Sequence, residues 1–244
     1  MLARAAVLLL AAFPAVLLAQ SQTFDLKTEN KVVGHDTYSM SKAKQGFKIT
    51  SHYEYRADGR EGEFANEYKL ADDYAFGEIS VTDNTGHMHS SYVPTKARTA
   101  VTVSRFQAGA QDSTSVPIKT DLMVLPPYDV GAAQAVLLLA TTHPSTNGIY
   151  SVIIPDGGKG GPAAVEAKWL KGREVTGTLD GKPVTLSTYL LATTTLRMAF
   201  FADSNNTLMQ CDLPQLKTSY IRSKFKLDAV APILAPAPGD AAKP

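Results

Sequence analysis

The chain has 244 residues, with 24 Lys and Arg against 23 Asp and Glu, so its formal charge is only +1. Nucleic-acid binding rests on a basic balance or a clustered basic stripe, and neither is present. The single cysteine, Cys211, excludes an intramolecular disulfide, so the fold must be held by burial alone.

The N-terminus reads Met-Leu-Ala-Arg, followed by an apolar run from Ala5 to Leu18 that Pro14 interrupts, and a small residue, Ala19, before Gln20. A positive start, a short apolar core and a small residue at the cut form a secretory signal peptide over residues 1–19. The run is shorter than the ~20 residues a spanning helix needs, so no transmembrane segment is expected in the mature chain. Export without disulfides suits a bacterial periplasm better than a eukaryotic extracellular space, although an extracellular site fits the same leader. Loss of residues 1–19 removes Arg4 and no acid, which balances the formal charge.

Residues 20–227 read as one β-rich domain. Thr23 to Thr28 and Lys31 to Met40 give two strands, with Gly34 marking a bulge or a close approach of backbones. The clearest alternation runs from Phe47 to Tyr55: Phe47, Ile49, Ser51, Tyr53 and Tyr55 share one face, and Lys48, Thr50, His52 and Glu54 the other. Asp58-Gly59 and Asp83-Asn84-Thr85-Gly86 are hairpin signals, because Asn, Asp and Gly accept the positive φ of tight turns. Ala100 to Phe106 and Ile118 to Val124 read as strands around a polar loop at Ala108 to Ser115. Strand periodicity then stops. Asp129 is a good N-cap, and the Ala- and Leu-rich run to about residue 140 reads as a short helix, apolar on nearly all sides and therefore buried.

Ile149 to Ile154, Ala163 to Leu170, Arg173 to Leu179 and Lys182 to Leu191 are further strands, the last two joined at Asp180-Gly181. From Leu196 to Ala202 alternate residues point opposite ways, Asp203 to Asn206 turn the chain, and Thr207 to Asp212 returns. The residues after Leu227, 228–244, form a Pro/Ala-rich tail too poor in bulky side chains to offset the entropy of ordering. The fold class is all-β: a curved antiparallel meander or partly closed barrel of about ten to twelve strands with one short helix.

Candidate chemistry is sparse. His87-x-His89 places two imidazoles on one strand face, as a zinc or copper site would, with His35, Asp36, His52 and His143 as sources of a third ligand. The commoner role of such a pair beside a Gly turn is a solvated hairpin end. Gly157 to Gly161 around Lys159 lacks the Ser or Thr and the helix of a phosphate loop. There is no Gly-x-Ser-x-Gly elbow. Cys211 sits in a strand without a neighbouring base, and Glu61 and Glu63 resemble a carboxylate pair but suit a solvated edge equally well. Asn205-Asn206-Thr207 matches a glycosylation sequon.

No catalytic set, cofactor site or metal site follows from these residues, and the reading leans away from an enzyme. A metal-dependent hydrolase built on His87 and His89 is the remaining enzymatic alternative. The aromatics Phe24, Phe47, Tyr53, Tyr55, Tyr68, Trp169, Tyr189, Phe200, Tyr220 and Phe225 occupy strand positions in both halves. They either fill a core or line an apolar cavity in a strongly curved sheet. Of these, Tyr53, Tyr55, Trp169, Tyr189 and Phe200 are the candidate ligand contacts.

Val33-Gly34-x-x-Thr37 with the long Phe47 to Tyr55 strand, the hairpin from Leu196 to Leu208, and Tyr220 followed by Phe225-x-Leu227 resemble exported bacterial β-proteins known only as domains of unknown function. At the level of fold, the implied curved sheet with one covering helix is similar to the periplasmic lipoprotein carriers, whose half-barrel holds acyl chains. An aromatic-rich sheet with no assembled catalytic set, together with this fold-level analogy, points to a non-enzymatic envelope protein that binds an apolar small molecule or lipid in its concave face. The alternative is an interaction or scaffold module that meets an envelope protein partner through a sheet edge or the tail.

Overall fold

The computed structural model describes residues 20–57, 60–83, 88–107, 109–126, 129–155 and 162–228. The signal peptide expected at 1–19 and the tail beyond Asp228 lie outside these residues. So do Asp58-Gly59, His87 and the glycines around Lys159.

Eight strands form an unbroken antiparallel meander: β1 (Gln20–Thr28), β2 (Lys31–Lys42), β3 (Phe47–Ala57), β4 (Arg60–Leu70), β5 (Phe76–Asp83), β6 (Met88–Pro94), β7 (Ala100–Gln107) and β8 (Ala110–Pro117). A short β9 (Leu122–Val124) leads into the helix α1 (Val130–Thr142), and β10 (Ile149–Ile153) returns parallel to β9. Every other strand pairing among the described residues is antiparallel, and the helix stands where parallel neighbours require a crossover longer than a hairpin turn. Then follow β11 (Ala164–Lys171), β12 (Val175–Leu179), β13 (Lys182–Ala192), β14 (Arg197–Ala202), β15 (Leu208–Leu213), β16 (Thr218–Arg222) and β17 (Phe225–Leu227).

β16 pairs with β1, so the late strands extend the early meander into one large sheet that is not closed. It curls round α1, which touches β2, β3, β4, β9 and β15. The all-β reading with one short helix therefore holds. Seventeen strands are described, more than the sequence suggests, for two reasons. β8 occupies the stretch read as a polar loop. All but one of its side chains are exposed, so no apolar alternation marks it, and only its pairing with β7 makes it a strand. β16 and β17 are too short to show a period.

α1 is buried on all sides from Val130 to Ala140, as its apolar composition requires. Asp129 caps it, its carboxylate accepting from the Ala132 amide at 3.0 Å. Gly131 allows the close approach to the sheet, since a Cβ there would stand 2.8 Å from the Ser51 Cβ. Gly34 serves the sheet itself: a Cβ would stand 2.0 Å from the Glu54 carbonyl oxygen, and β1 shifts register opposite it, between Leu26 and Lys27.

The main core gathers around α1 from both halves, including Phe24, Ile49, Tyr68, Phe76, Tyr92, Tyr150, Phe200 and Tyr220. A second, smaller cluster explains why both faces of β14 are buried, where simple alternation would leave one wet. β12 pairs with the first half of β13 and with β17, and Leu186, Ala199, Phe201, Met209 and Phe225 pack together on the side away from α1. On the outer face of the meander, register lines up Ser21, Ser39, Thr50, Glu67, Ser80, Ser91, Ser104 and Ser113 in one row across all eight strands. Small hydroxyl residues suit a solvated pleated face.

Candidate functional site

The inward faces of β2, β3 and β4 should be apolar, yet Asp36, Ser51 and Asn66 interrupt them. Register explains the interruption: Tyr38 stands opposite Ser51, and Ser51 opposite Asn66, so polar groups on adjacent strands meet under the N-terminus of α1. There Asp129 accepts from the Ser51 hydroxyl at 2.8 Å, the Tyr68 hydroxyl at 2.5 Å, the Asn66 amide and the Ala132 amide. Asp36 accepts from the Val130 amide at 2.5 Å. Two carboxylates thus sit at the positive end of one helix, where anions are favoured.

Both are almost fully buried, Asp36 at 1% exposure and Asp129 at 3%. Burial pushes both carboxyls above the usual range, and for Asp36 the neighbouring Asp129 charge adds to it. Four donors converge on Asp129, whereas one oxygen of Asp36 and the Asn66 carbonyl oxygen have no partner. Asp36, with fewer donors, is pushed up the further of the two. Burial likewise raises the hydroxyls of Tyr38, Tyr68 and Tyr220.

One helical turn further along, Gln134 joins this cluster to a pocket. Its side-chain oxygen accepts from the Tyr38 hydroxyl at 2.8 Å and the Leu208 amide at 2.9 Å, and its nitrogen donates to the Asn206 carbonyl at 2.9 Å. The pocket, of about 460 Å³, is walled by Tyr38, Met40, Phe47, Tyr74 and Leu138 and rimmed by Gln22, Ser41, Lys42, Gln134 and Asn205 to Thr207. Phe47 stacks on Tyr74 at 4.6 Å. Tyr74 holds that ring with φ at 62°, a left-handed conformation unusual for a bulky residue, and its amide bonds to the Ala71 carbonyl. In the turn that supplies Asn205 to Thr207, the Asp203 carboxylate accepts from the amides of Asn205 and Thr207, the local bonding that the turn chemistry of this segment implies.

The residues proposed from sequence fall elsewhere. Trp169, Tyr189 and Phe200 do come together, with ring centres 5.2 and 5.1 Å apart, and they pack at the main core. Tyr53 stacks on Phe64 at 4.9 Å, and Tyr55 lies half-buried on the same strand. None of these five lines the pocket. α1 packs against β2, β3, β4, β9 and β15, and the pocket lies beside it.

Among the described residues, the histidines do not converge. His35 pairs with Asp25 at 3.1 Å, His89 with the Thr82 hydroxyl at 3.0 Å, and the His143 backbone closes the end of α1. His52 lies 3.5 Å from Glu54 and 3.2 Å from Glu63, an exposed group whose signal in the sequence is His-x-Glu on one strand face. His52 and His89 share a row three strand spacings apart, about 14 Å. Glu61 meets Arg56 at 3.4 Å, and Glu63 meets His52. Cys211 is fully buried, and burial raises its thiol.

No family model and no curated protein matches the chain. Among solved structures it is similar to a DUF1089 family protein of Pseudomonas aeruginosa, at 9% identity and a TM-score of 0.43, over 74% of this chain and 90% of that one. At so low a score no residue role passes from one to the other. Among the described residues, no helix is long and apolar enough to cross a membrane.

Proposed function

We propose that this protein is a non-enzymatic binder of a small apolar or amphipathic molecule, held in the pocket beside α1. The observation that carries the reading is the pocket itself: 460 Å³, within the range of small-molecule sites, with apolar walls and a few fixed polar groups. Those polar groups are already placed. Gln134 is held by three hydrogen bonds, so the pocket is formed before any ligand arrives. The buried carboxylates add support, since neither lines the pocket and each is committed to the N-terminus of α1. The leader-like start of the sequence supports an exported, envelope setting.

The uncharged dye N-phenyl-1-naphthylamine reads the pocket by fluorescence. Purified protein should bind it, and the neutral alcohols from 1-octanol to 1-dodecanol should displace it. Each added methylene should improve competition about fourfold until the pocket is full, the value of ~0.8 kcal/mol per buried methylene. Met40→Trp, which fills the space from one wall, should weaken the dye at least about tenfold with the melting temperature nearly kept. Equal binding by wild type and Met40→Trp would refute the reading, as would alcohols that compete without regard to length.

A further inference from the structure

The rim of the pocket holds one charged side chain among the described residues, Lys42. Its ammonium lies 4.2 Å from the centre of the Phe47 ring and 2.5 Å from an Asp72 carboxylate oxygen. Asp72 does not line the pocket, and the same oxygen accepts from the Gly46 amide at 3.3 Å, which ties it to the loop before β3. The ammonium is thus held over the aromatic wall, at the boundary between apolar interior and solvent.

Resting on the pocket reading above, we infer that the ligand is an anionic single-chain amphiphile whose tail enters between Met40, Phe47, Tyr74 and Leu138 and whose carboxylate or phosphate head meets Lys42. Charge complementarity carries this. A cationic head would meet Lys42 with like charge, and a neutral one would leave its donors to water. An ammonium has three donors, so Lys42 can keep Asp72 and take a second anion. Asn205, exposed on the opposite rim, and Asn206 beside it supply polar groups on the other side of the head. A charge-assisted hydrogen bond is roughly twice as strong as a neutral one, so the head should contribute measurably beyond the tail.

The test uses the full chain and the same dye, displaced by laurate, dodecyl phosphate, 1-dodecanol or dodecyltrimethylammonium. Laurate and dodecyl phosphate should compete at least about tenfold better than the alcohol, and the cation worse than the alcohol. Lys42→Gln should remove the preference for anions, so that laurate and dodecyl phosphate compete no better than the alcohol. Asp72→Asn, which takes away the ammonium's present partner, should act in the opposite direction and tighten laurate. A merely structural role for the Lys42–Asp72 pair predicts that both variants shift all four competitors alike. Added salt should weaken laurate and leave the alcohol unaffected. Which anion wins separates a carboxylate head from a phosphate head. If the dye binds and all four competitors are equal, the inference about the head falls and the pocket reading stands; if the dye does not bind, both fall.

Discussion

Asp129→Ala tests whether the buried polar cluster fixes the helix in the sheet. The substitution removes the acceptor of four buried donors, the Ser51 hydroxyl, the Asn66 amide, the Tyr68 hydroxyl and the Ala132 amide. Loss of the cap alone costs about 0.5–2 kcal/mol, and each buried donor left without a partner about 1–3 kcal/mol. Water entering the space left by the carboxylate satisfies part of the set, which brings the expected loss to about 4–6 kcal/mol. That is a large share of the ~5–15 kcal/mol of a typical native protein. Asp129→Asn keeps the shape and one accepting oxygen, and should cost about half as much. Urea unfolding measures both, followed by circular dichroism for the whole sheet and by the single tryptophan, Trp169, for the late strands. Coincident transitions by the two probes show that early and late strands unfold together. A loss below ~1 kcal/mol in Asp129→Ala would refute the claim that these contacts hold α1 in place.

Asp36 makes stability depend on pH in a direction opposite to most carboxylates. Its carboxyl is raised in the folded state, so the native protein keeps a proton that the unfolded chain has lost above its ordinary value of 3.8. Stability from this group is complete below that value and falls as pH rises through the folded one. Asp36→Asn retains an oxygen for the Val130 amide and carries no charge, so its melting temperature should exceed the wild type's near neutral pH, the two curves converging toward pH 4; a parallel pair of curves would count against the assignment. Cys211 should be inert in the folded protein. At 0% exposure and with its thiol raised by burial, it should react with a thiol reagent at least about a hundredfold slower than in the urea-unfolded chain. Fast labelling of native protein would show that β15 opens locally.

Much of the fold was legible because the early strands are half-buried. Phe47, Ile49, Ser51, Tyr53 and Tyr55 face inward as the alternation says, and Asp129 caps α1 as its side chain and position imply. β8 was hidden because an edge strand with a wet surface needs no apolar residue, only a partner. The polar cluster was hidden for a different reason. Asp36, Ser51 and Asn66 each interrupt an apolar face singly, and taken one at a time an interruption carries no message. Register converts them into a group, and their partners at the start of α1, Asp129 for Ser51 and Asn66 and the Val130 amide for Asp36, lie 63 to 94 positions further along the chain. The pocket has no local signal at all: Phe47, Tyr74 and Leu138 are brought together by the curl of the sheet about the helix.

That curl also explains why a mostly apolar interior keeps so many polar groups. A helix buried on every side by Val, Ala and Leu has little in its packing to fix its rotation or its position along its axis, because apolar contacts are non-directional and many placements bury similar area. Hydrogen bonds discriminate between such placements. Asp36 and Asp129 tie the first turn of α1 to β2, β3 and β4, while Gln134 ties the next turn to β2 and to the start of β15. A rotation that moved Gln134 would strand its amide, the Tyr38 hydroxyl and the Leu208 amide together, each at the cost of an unsatisfied buried group. Gln134 and Tyr38 are also pocket residues. The contacts that select one orientation of the helix therefore select the shape of the pocket, and a ligand meets a site whose polar groups were ordered during folding, when the entropy was already spent.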